Sequence, residues 1–409
     1  MSGYNPGDIL IDDLTVTSPR SGSWQAAPYF ISAEITETIF TPVVLAYIEV
    51  LDDKDWLGQL KIAGDEMVTF TYRNPAGTVA NYEFHLNSVK DIGIQGALKS
   101  KTYKLECVTR EPMHAQVNYV QRSYNTTIGE MVADIIMQDF KSKKKVNYEP
   151  TKGKRKFVVP NEPALQWVDK MKAEAVSEKN KGSNYMFWQT HRGFYFQSLE
   201  YMMQQRDVKT FKQENTIGSS MRKIVDTNIL SWQVKQNMDA SNRIHSGVMG
   251  HRVVTFDPHT HKYVSQDFKP KADELTGFGK GFITTLSSFL DIFAGGVQTH
   301  FRMVNPNVKI DVEKSHVPGT IPYKELNIAQ MQEQSLHMTV IGDPNLEPGK
   351  TIRNNVPKIV GTTSSNQLDA QVSGRWLISK VTHEIRQPQA RPRWVSNLEC
   401  LKGTYEESV

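Results

Sequence analysis

"NLECLKGT" at residues 397–404 shares three letters with the start of "LECVTREP" at residues 105–112. A shared tripeptide carries little weight in a chain of 409 residues, so the comparison must include the segments that precede each copy. "FHLNSV" (84–89) stands before the first copy, and "WLISKV" (376–381) stands before the second. These two pairs of segments decide whether the chain uses one structural unit twice.

The two pairs align position by position. In the preceding segments, the apolar residues correspond as follows: Phe84 to Trp376, Leu86 to Ile378 and Val89 to Val381. In the later segments, Leu105, Glu106 and Cys107 correspond to Leu398, Glu399 and Cys400. "KDI" and "HEI" follow the preceding segments, which places Asp91 opposite Glu384 and Ile92 opposite Ile385. Because successive side chains of a strand point to opposite faces, this match predicts two hairpins that bury the same face.

A third element recurs upstream. "IAGDEMV" (62–68) and "EPGKTI" (347–352) each place a glycine turn before a strand. Three elements in the same order favour an internal duplication. The alternative is chance similarity, because any two β-rich hairpins share a period-two pattern. Three copies of a chain with two such units would form a ring of six nearly equivalent units, and such a ring can join a threefold object to a sixfold one.

Composition limits the class of protein. The chain is 39% hydrophobic and 22% charged, which suits two to four globular domains. A net charge of +4 is too small to indicate a nucleic-acid binder. The two cysteines, Cys107 and Cys400, lack the spacing of a zinc module and exclude a disulfide scaffold, so we expect synthesis in a reducing cytoplasm. The N-terminus has no pattern of a signal peptide.

Residues 9–110 read as six short strands rich in Val, Ile, Thr, Tyr and Phe. "RNPAG" at residues 73–77 predicts a hairpin turn, with Pro75 fixing φ and Gly77 free to take a positive φ. So many short strands in about a hundred residues predict an antiparallel barrel or sandwich.

The pattern changes after residue 113. Apolar residues at helical spacing predict a helix over 126–140, with Thr127 and Glu130 as a capping box. A second helix is predicted over 161–180, with Asn161 as its N-cap. "NYMFWQTHRGFYFQSL" (184–199) predicts an aromatic hairpin that turns at His191–Gly193. This part is therefore predicted to be a mixed α+β domain.

The predicted fold class is α+β and mainly β: two similar antiparallel β-barrel domains plus a mixed α+β domain. The first barrel is assigned to residues 1–112 and the middle domain to residues 113–225. The second barrel is assigned to residues 226–267 together with 325–409. Residues 268–324, which begin with several glycines and end among prolines, are interpreted as an insertion or interface segment.

Two long motifs in the last hundred residues resemble a known family. "SLHMTVIGDPNLEPGKTI" (335–352) and "GRWLISKVTHEI" (374–385) are similar to the closing barrel of baseplate central hub proteins from contractile-tailed, myovirus-type bacteriophages. "NYMFWQTHRGFYFQSLEYMM" (184–203) also resembles the hairpin in the middle domain of these hubs. The motif residues are Gly342, Leu346, Pro348 and Gly349 in the first motif, and Gly374, Trp376, Ile378, Val381 and His383 in the second.

The resemblance implies a structural protein of the virion, in the baseplate of the tail. It implies a homotrimer whose tube-like barrels form a pseudo-sixfold ring between the hexameric tail tube and a separate trimeric spike protein. Other baseplate (wedge) proteins would be further partners, and genome DNA would pass through during ejection without specific binding. A hub of a related contractile injection or secretion system is the alternative. Hubs fused to their spike are disfavoured, because no needle-like region is present in the sequence.

We expect no enzyme, no catalytic residue, no cofactor and no metal site, since no GxSxG, HExxH or P-loop motif occurs. The run "HRVVTFDPHTHKY" contains His251, Asp257, His259 and His261, and a polar turn with exposed histidines is the favoured interpretation. A hydrolase of cell-wall glycan is a remote alternative, and it requires a cleft with two carboxylates.

Residues 141–157 hold eight Lys or Arg residues, including Lys143, Lys144 and Lys145. Nucleic-acid binding is a third hypothesis for this cluster. A solvated loop or a contact with an acidic partner is favoured, because a conduit that binds phosphates would hinder ejection of a genome.

Residues 278–297 combine apolar side chains at helical spacing with Lys280, Asp291 and several glycines, which makes them too polar for a stable membrane insertion. An exposed apolar stripe usually marks a partner surface. The predicted interface residues are Phe282, Leu286, Phe289, Leu290 and Phe293.

Overall fold

Strands dominate the described part of the chain, and helices are few. The computed structural model describes residues 7–95, 100–179, 182–213, 226–236, 251–257, 261–268, 298–303, 324, 328, 331, 334–360, 363–369, 371–387 and 393–402. Within these ranges the prediction of a mainly β chain with some helix is confirmed.

The strands before residue 110 pair antiparallel in the order β3, β4, β7, β6, β5, β1, β2. Their bounds are β1 (Leu10–Ser18), β2 (Gly22–Gln25), β3 (Phe30–Thr38), β4 (Leu45–Asp52), β5 (Met67–Arg73), β6 (Val79–Gln95) and β7 (Ser100–Thr109). A 3-10 turn covers Ala27–Tyr29, and the one-turn helix α1 covers Trp56–Gln59. Alternate side chains of these strands enter one apolar core, as the period-two pattern predicts.

The predicted turn at residues 73–77 joins β5 to β6. Gly77 has a φ of +86°, a conformation that costs glycine little because it has no Cβ. Asn74 closes the turn, since its side-chain oxygen accepts the backbone N–H of Thr78 at 2.8 Å. The turn prediction is confirmed.

Helices and short strands alternate between residues 110 and 204. Their bounds are α2 (Arg110–Val117), β8 (Tyr119–Val120), β9 (Ser123–Thr126), α3 (Ile128–Gln138), β10 (Lys145–Tyr148), β11 (Arg155–Val158), β12 (Glu162–Pro163), α4 (Ala164–Glu174), β13 (Tyr185–Thr190), β14 (Gly193–Ser198) and α5 (Leu199–Gln204). The apolar faces of α3 and α4 pack with the sheet β10–β14–β13 in a second core. The predicted hairpin is confirmed as β13 and β14, which turn at His191 and Arg192.

The predicted capping box is present at the start of α3. The hydroxyl of Thr127 accepts the backbone N–H of Glu130, and the carboxylate of Glu130 accepts the backbone N–H of Thr127. The second helix is shorter than predicted, because Asn161 has a φ of +50° and Pro163 pairs with Tyr119 as part of β12. Helix α4 therefore begins at Ala164, and it ends at Glu174 rather than at residue 180.

The strands after residue 208 belong to three sheets. Their bounds are β15 (Lys209–Lys212), β16 (Ile229–Gln236), β17 (His251–Asp257), β18 (Lys262–Phe268), β19 (Gln298–Met303), β20 (Gln334–Ile341), β21 (Thr351–Asn355), β22 (Pro357–Val360), β23 (Thr363–Leu368), β24 (Gly374–Arg386) and β25 (Arg393–Lys402). β17, β18 and β19 form a separate sheet, and β22 pairs with β23. The others join the large sheet.

The large sheet runs through both halves of the chain without a break. Its order is β16, β20, β25, β24, β3, β4, β7, β6, β5, β1, β2, and β21 pairs with β24 beside this path. β24 pairs antiparallel with β3, from Lys380 opposite Thr38 to Arg386 opposite Ser32. We call this pairing the internal seam. The two predicted barrels are thus not found as closed barrels: no sheet of the described residues closes on itself, because β3 and β24 pair with each other instead.

The hairpins β6–β7 and β24–β25 have the same register, which answers the question raised by the repeated "LEC". In the first hairpin Leu86 faces Cys107 and Val89 faces Leu105. The equivalent pairs in the second hairpin are Ile378 with Cys400 and Val381 with Leu398. Each hairpin also has a β-bulge at the equivalent place, before Ser88 and before Lys380. Chance period-two similarity does not explain a repeated bulge, because a bulge is a specific local feature.

The neighbouring strands repeat as well. β4 faces β7 as β20 faces β25, and β3 faces β4 as β16 faces β20, with a bulge again at the equivalent place, before Ser32 and before Ser231. β5 and β21 occupy equivalent positions beside β6 and β24. We call β3–β7 the first unit and β16, β20, β21, β24 and β25 the second unit. The likeness ends one strand further on, because β1 is antiparallel to β5 whereas β15 is parallel to β21.

One part of the sequence alignment is wrong. A second bulge in β6 lies between Lys90 and Gly93, and Asp91 there has a φ of +53°. Beyond this bulge, Ile94 faces Lys101 in the first hairpin as Ile385 faces Trp394 in the second. The equivalent of Ile385 is therefore Ile94 and not Ile92, because the bulge adds residues to β6 that the letters "KDI" and "HEI" do not reveal.

Candidate functional site

The glycines of the first resemblance motif, Gly342 and Gly349, lie in a turn between β20 and β21 that is packed against two indole rings. A Cβ on Gly342 would lie 2.1 Å from the ring of Trp394. A Cβ on Gly349 would lie 2.3 Å from the ring of Trp188, and Gly349 also has a φ of +84°. The indole N–H of Trp188 donates to the carbonyl of Pro348 at 3.2 Å. Only glycine fits these two positions, so the motif fixes the turn against the middle region of the chain.

The turn between β13 and β14 meets both repeated units at this place. The backbone N–H of His191 donates to Oε1 of Glu37, in β3 of the first unit, at 2.9 Å. The hydroxyl of Thr190 donates to Oε1 of Glu347, in the glycine turn of the second unit, at 3.1 Å. In a third and more exposed contact, the guanidinium of Arg192 donates to Oδ1 of Asn345 at 2.7 Å. We call Glu37, Tyr82, Thr190, His191 and Glu347 the polar junction.

Glu37 is fully buried in the polar junction. Burial favours its neutral form, but the hydrogen bonds and charge of His191 outweigh burial and lower the pKa of Glu37 below its ordinary value. The phenol of Tyr82 also donates to Oε1 of Glu37, at 3.1 Å. Glu37 is therefore charged at neutral pH and connects β3 to the middle region.

Glu347 has the opposite shift. Burial raises its pKa, the charge of Glu37 raises it further, and His191 and Arg192 oppose the rise only in part. Nδ1 of His191 lies 3.8 Å from Glu37 and 3.6 Å from Glu347. Among the described residues, Oε2 of Glu37 and Oε2 of Glu347 have no hydrogen-bond partner. The junction thus binds three parts of the chain through two carboxylates that differ in their tendency to take a proton.

His383 lies beside this junction, on the seam strand β24. Its Nδ1 lies 2.8 Å from the hydroxyl of Ser396, and the indole N–H of Trp394 donates to the same Nδ1 at 3.3 Å. Burial lowers the pKa of His383 to about 4, and the charge of His191 acts in the same direction. His383 is therefore neutral at pH 7, and its Nδ1 accepts a hydrogen bond from the indole N–H of Trp394.

The polar junction does not have the form of a hydrolase site. Two carboxylates with opposed pKa shifts are typical of glycosidases, but the side chains of Glu37 and Glu347 are only 0% and 1% exposed, so no glycan could reach them. No group of three or more His, Cys, Asp or Glu side chains in the described residues could hold a metal ion. Of the four residues in the predicted histidine run, His259 lies outside the described residues.

Sequence reasoning did not single out Glu37 or Glu347. One signal was available: Glu37 follows Ala33 and Ile35 at the inward positions of β3, and a lone acid in an inward series predicts a buried charge with a partner. The partner could not be predicted, because His191 is distant in sequence and reaches Glu37 only through the fold.

The outward faces of β3, β4, β6, β7, β24 and β25 form a continuous polar surface, which we call the polar face. Its charged residues are Glu34, Glu49, Lys90, Asp91, Lys104, Glu106, Lys380, Glu384, Arg386 and Glu399. A groove of about 320 Å³ crosses this face over the internal seam, from Lys90 and Lys104 to Glu384 and Arg386. The polar face therefore continues from one repeated unit to the other.

Each of these cations has a carboxylate partner. Lys90 pairs with Glu106 at 2.8 Å and Lys104 pairs with Asp91 at 2.9 Å. In the second unit, Lys380 pairs with Glu399 at 2.8 Å, and Arg386 lies 3.2 Å from Glu384. Glu106 and Glu399 occupy equivalent positions, whereas Lys380 is the equivalent of Ser88 and not of Lys90, so the repeat includes the carboxylate but not its cation.

The basic cluster at 141–157 is partly neutralised. Lys144 pairs with Glu111 at 3.0 Å, and Arg155 pairs with Glu174 at 2.9 Å. Lys143 and Lys145 are exposed. A cluster with two such ion pairs offers less free charge to phosphates than its letters suggest. The interpretation of this stretch as a solvated loop is wrong in part, because β10 and β11 lie within it and Arg155 is buried.

The predicted interface residues Phe282, Leu286, Phe289, Leu290 and Phe293 lie outside the described residues, as does the whole segment 278–297. Their role stays a prediction. Among the described helices, none is long and apolar enough to cross a membrane.

No protein-family model and no curated protein sequence matches this chain. Solved structures do match it over almost its full length. A tail protein from Neisseria meningitidis MC58 superposes with a TM-score of 0.58 at 11% identity, covering 98% of both chains. The 43 kDa tail protein of prophage MuSo2 from Shewanella oneidensis superposes with a TM-score of 0.55 at 9% identity, covering 96% of this chain and 98% of that one. The chain therefore has the fold of phage tail proteins, as the resemblance of its motifs predicted.

Proposed function

We propose that this chain is the structural central hub of a contractile phage-tail baseplate. The observation that carries this proposal is the repeated unit, with the same strand registers and bulges in both copies. A chain with two equivalent units is suited to join a threefold assembly to a sixfold one, because three copies supply six units. The tail-protein fold supports the same role.

In this proposal three chains form a pseudo-sixfold ring. One side of the ring contacts the hexameric tail tube, and the other side receives a separate trimeric spike protein. Wedge proteins of the baseplate surround the ring. The division into a first tube-like domain (1–112), a middle domain (113–225), a second tube-like domain (226–267 with 325–409) and an interface segment (268–324) is part of the proposal. The apolar residues between Phe282 and Phe293 would lie at a subunit contact.

The polar face is proposed to line the channel of the ring. A channel for DNA needs a hydrated surface without strong phosphate binding, since every phosphate that pairs with a cation releases counterions and gains affinity. The ion pairs of the polar face meet this requirement, because each cation already has a carboxylate within 3.2 Å. Genome DNA would therefore pass without specific binding.

The second candidate is the hub of a related contractile injection or secretion system. Such a hub would use the same geometry, so the discriminating test is its genetic and physical partner: a phage hub assembles with tail proteins into a virion. The glycan hydrolase stays a remote alternative, and the closure of Glu37 and Glu347 from solvent argues against these two carboxylates as its catalytic pair.

Electron microscopy of the purified chain tests the proposal. We expect end-on views of a ring with six similar densities around a central opening and true threefold symmetry after averaging. Rings with another number of densities, or compact particles without an opening at any protein concentration, would contradict it.

A further inference from the structure

Among the strand edges of the large sheet that the described residues leave open, those of β6 and β16 have equivalents that pair with each other at the internal seam. At the seam, β24 of the second unit pairs with β3 of the first. The equivalent of β24 is β6, and the equivalent of β3 is β16. β16 and β6 lie at the two ends of the run of eight strands from β16 to β6. One chain therefore contains one complete seam, and it also contains both strands of a second seam, which do not pair with each other.

The edge of β6 is open beyond His85. β5 pairs with β6 only from Val79 to His85, and no other described strand takes over that edge further along. Ile94 lacks a covering strand: it is 74% exposed, whereas its equivalent Ile385 is 0% exposed. Ile385 is covered at the internal seam, and Ile94 has the same inward register without a cover.

The edge of β16 is also open among the described residues. Within the described strands, β16 pairs only with β20, and its further contact is an isolated bridge between Asn228 and Lys212. Trp232 and Val234 are only partly buried, whereas their equivalents Ala33 and Ile35 are fully buried in the core next to the internal seam. Among the described residues, the inward side of β16 is therefore less covered than that of β3, although the indole N–H of Trp232 donates to Gln213 at 2.8 Å.

We infer that the open part of β6 pairs antiparallel with β16 of a second copy of this chain, in the register of the internal seam. This inference rests on the proposed ring. Ile385 faces Ala33 and Glu384 faces Glu34 at the internal seam. By equivalence, Ile94 faces Trp232 of the next subunit and Gly93 faces Gln233 of the next subunit. Trp232 then covers Ile94, so one contact buries the exposed Ile94 and the rest of the partly buried Trp232.

The same register explains how two kinds of seam alternate around the ring. Each chain contributes one internal seam and shares one seam with each neighbour, so three chains give six seams. Lys90 faces Lys235 of the next subunit on the polar face, and this like-charged contact is offset because Lys90 is paired with Glu106 at 2.8 Å.

Disulfide trapping tests this register. Facing Cβ atoms of antiparallel strands lie about 4.5–5.5 Å apart, close enough for a disulfide after a small adjustment. The first pair is Gly93→Cys with Gln233→Cys; a Cβ at Gly93 meets no atom nearer than 3.8 Å, so this variant is expected to fold. The second pair is Ile94→Cys with Trp232→Cys. The native Cys107 and Cys400 are fully buried and do not interfere.

We expect oxidised Gly93→Cys/Gln233→Cys protein to run as covalent dimers and trimers on a non-reducing gel, with at least a tenfold higher yield than the off-register control Ile94→Cys/Lys235→Cys. Each single-cysteine variant should stay monomeric on the same gel. Circular dichroism confirms that each variant is folded before oxidation.

The outcomes separate this inference from the proposed function. A chain that has three times the monomer mass in solution but gives no cross-link from either facing pair would overturn the register and leave the ring in place. Equal yields from facing and off-register pairs would also overturn it. A chain of monomer mass without cross-links would contradict both proposals.

Discussion

Gly349 combines two requirements that are separable by mutation. Its φ of +84° disfavours any side chain, and a Cβ would lie 2.3 Å from Trp188. Gly77 has a φ of +86°, but a Cβ added there would meet no atom within 4 Å, so Gly77 isolates the backbone requirement. The difference between alanine variants at these two positions therefore measures the clash alone.

We expect Gly77→Ala to lower the free energy of unfolding by about 1 kcal/mol, because alanine tolerates a positive φ poorly. Gly349→Ala should cost a further ~1–3 kcal/mol, because the indole of Trp188 has to move. Urea denaturation of both variants measures the difference. Equal losses at both positions would show that the turn is not held against Trp188.

His383 makes the stability depend on pH in a defined window. Burial lowers its pKa to about 4 in the folded chain, whereas an unfolded histidine has its ordinary value of 6.5. Below pH 6.5 the imidazole of His383 binds a proton in the unfolded chain but stays neutral in the folded chain. The free energy of unfolding therefore falls as the pH falls from 6.5 towards 4. The contribution is about 3 kcal/mol over this window.

We expect His383→Gln to reduce that slope, since glutamine can still accept from Trp394 but does not titrate. Urea denaturation at pH 7 and at pH 5 measures the slope for each protein. The matched control is His337→Gln, at an exposed position of β20, which should keep the wild-type slope. An unchanged slope in His383→Gln would disprove the role of this histidine.

Strand pairs in the two repeated units differ mainly in whether their edges are covered. Ile385 and Ile94 are equivalent, yet one is buried at the internal seam and the other is 74% exposed. We expect Ile385→Ala to lower the free energy of unfolding by about 2–5 kcal/mol, in the range of other core truncations. Ile94→Ala should change the stability of the isolated chain by less than about 0.5 kcal/mol.

In self-association the larger effect should belong to Ile94→Ala, the variant with the smaller effect on stability. Ile94→Ala is expected to weaken self-association at least tenfold in sedimentation equilibrium while the fold stays intact. If Ile94→Ala destabilised the isolated chain as strongly as Ile385→Ala does, the β6 edge would already be covered within one subunit, which would contradict the open edge.

Much of the fold was readable from local signals. The "LEC" hairpins, the turn at Gly77 and the capping box at Thr127 depend on neighbouring residues, and the structure confirms each of them. Bulges were not readable, because the one at Asp91 adds residues without a change in polarity pattern. The closed barrels were expected because each unit was considered alone, and pairing between β3 and β24 depends on residues far apart in sequence.

The candidate site was readable only in part. The motif glycines predicted a tight turn, and the structure places that turn at the meeting point of both units and the middle region. Glu37 and Glu347 were missed because their significance depends on His191, which belongs to another part of the chain. Long-range electrostatics of this kind leaves no periodic trace in a sequence.

The charge balance of the whole polar face determines how the protein treats DNA. We expect the wild-type chain to show no retention of double-stranded DNA in a filter-binding assay at about 50 mM salt, because the cations of the polar face are paired. Glu106→Gln with Glu399→Gln removes the carboxylate at the equivalent position of each unit and frees Lys90 and Lys380, and this variant should bind DNA with an affinity that falls steeply with salt.

A matched control for the DNA assay is Glu83→Gln, an exposed change on β6 outside the polar-face ion pairs. It also removes a negative charge, but it frees no lysine from an ion pair, so this variant should not bind DNA. Strong DNA binding by the wild-type chain would contradict a channel lined by the polar face.

The solution mass of the purified chain tests the central claim most directly, by light scattering on a sizing column. The account predicts a species of three times 46.4 kDa, since three chains supply the six equivalent units of the ring. A species that stays at 46.4 kDa at every concentration, or a stable assembly of two chains, would contradict it.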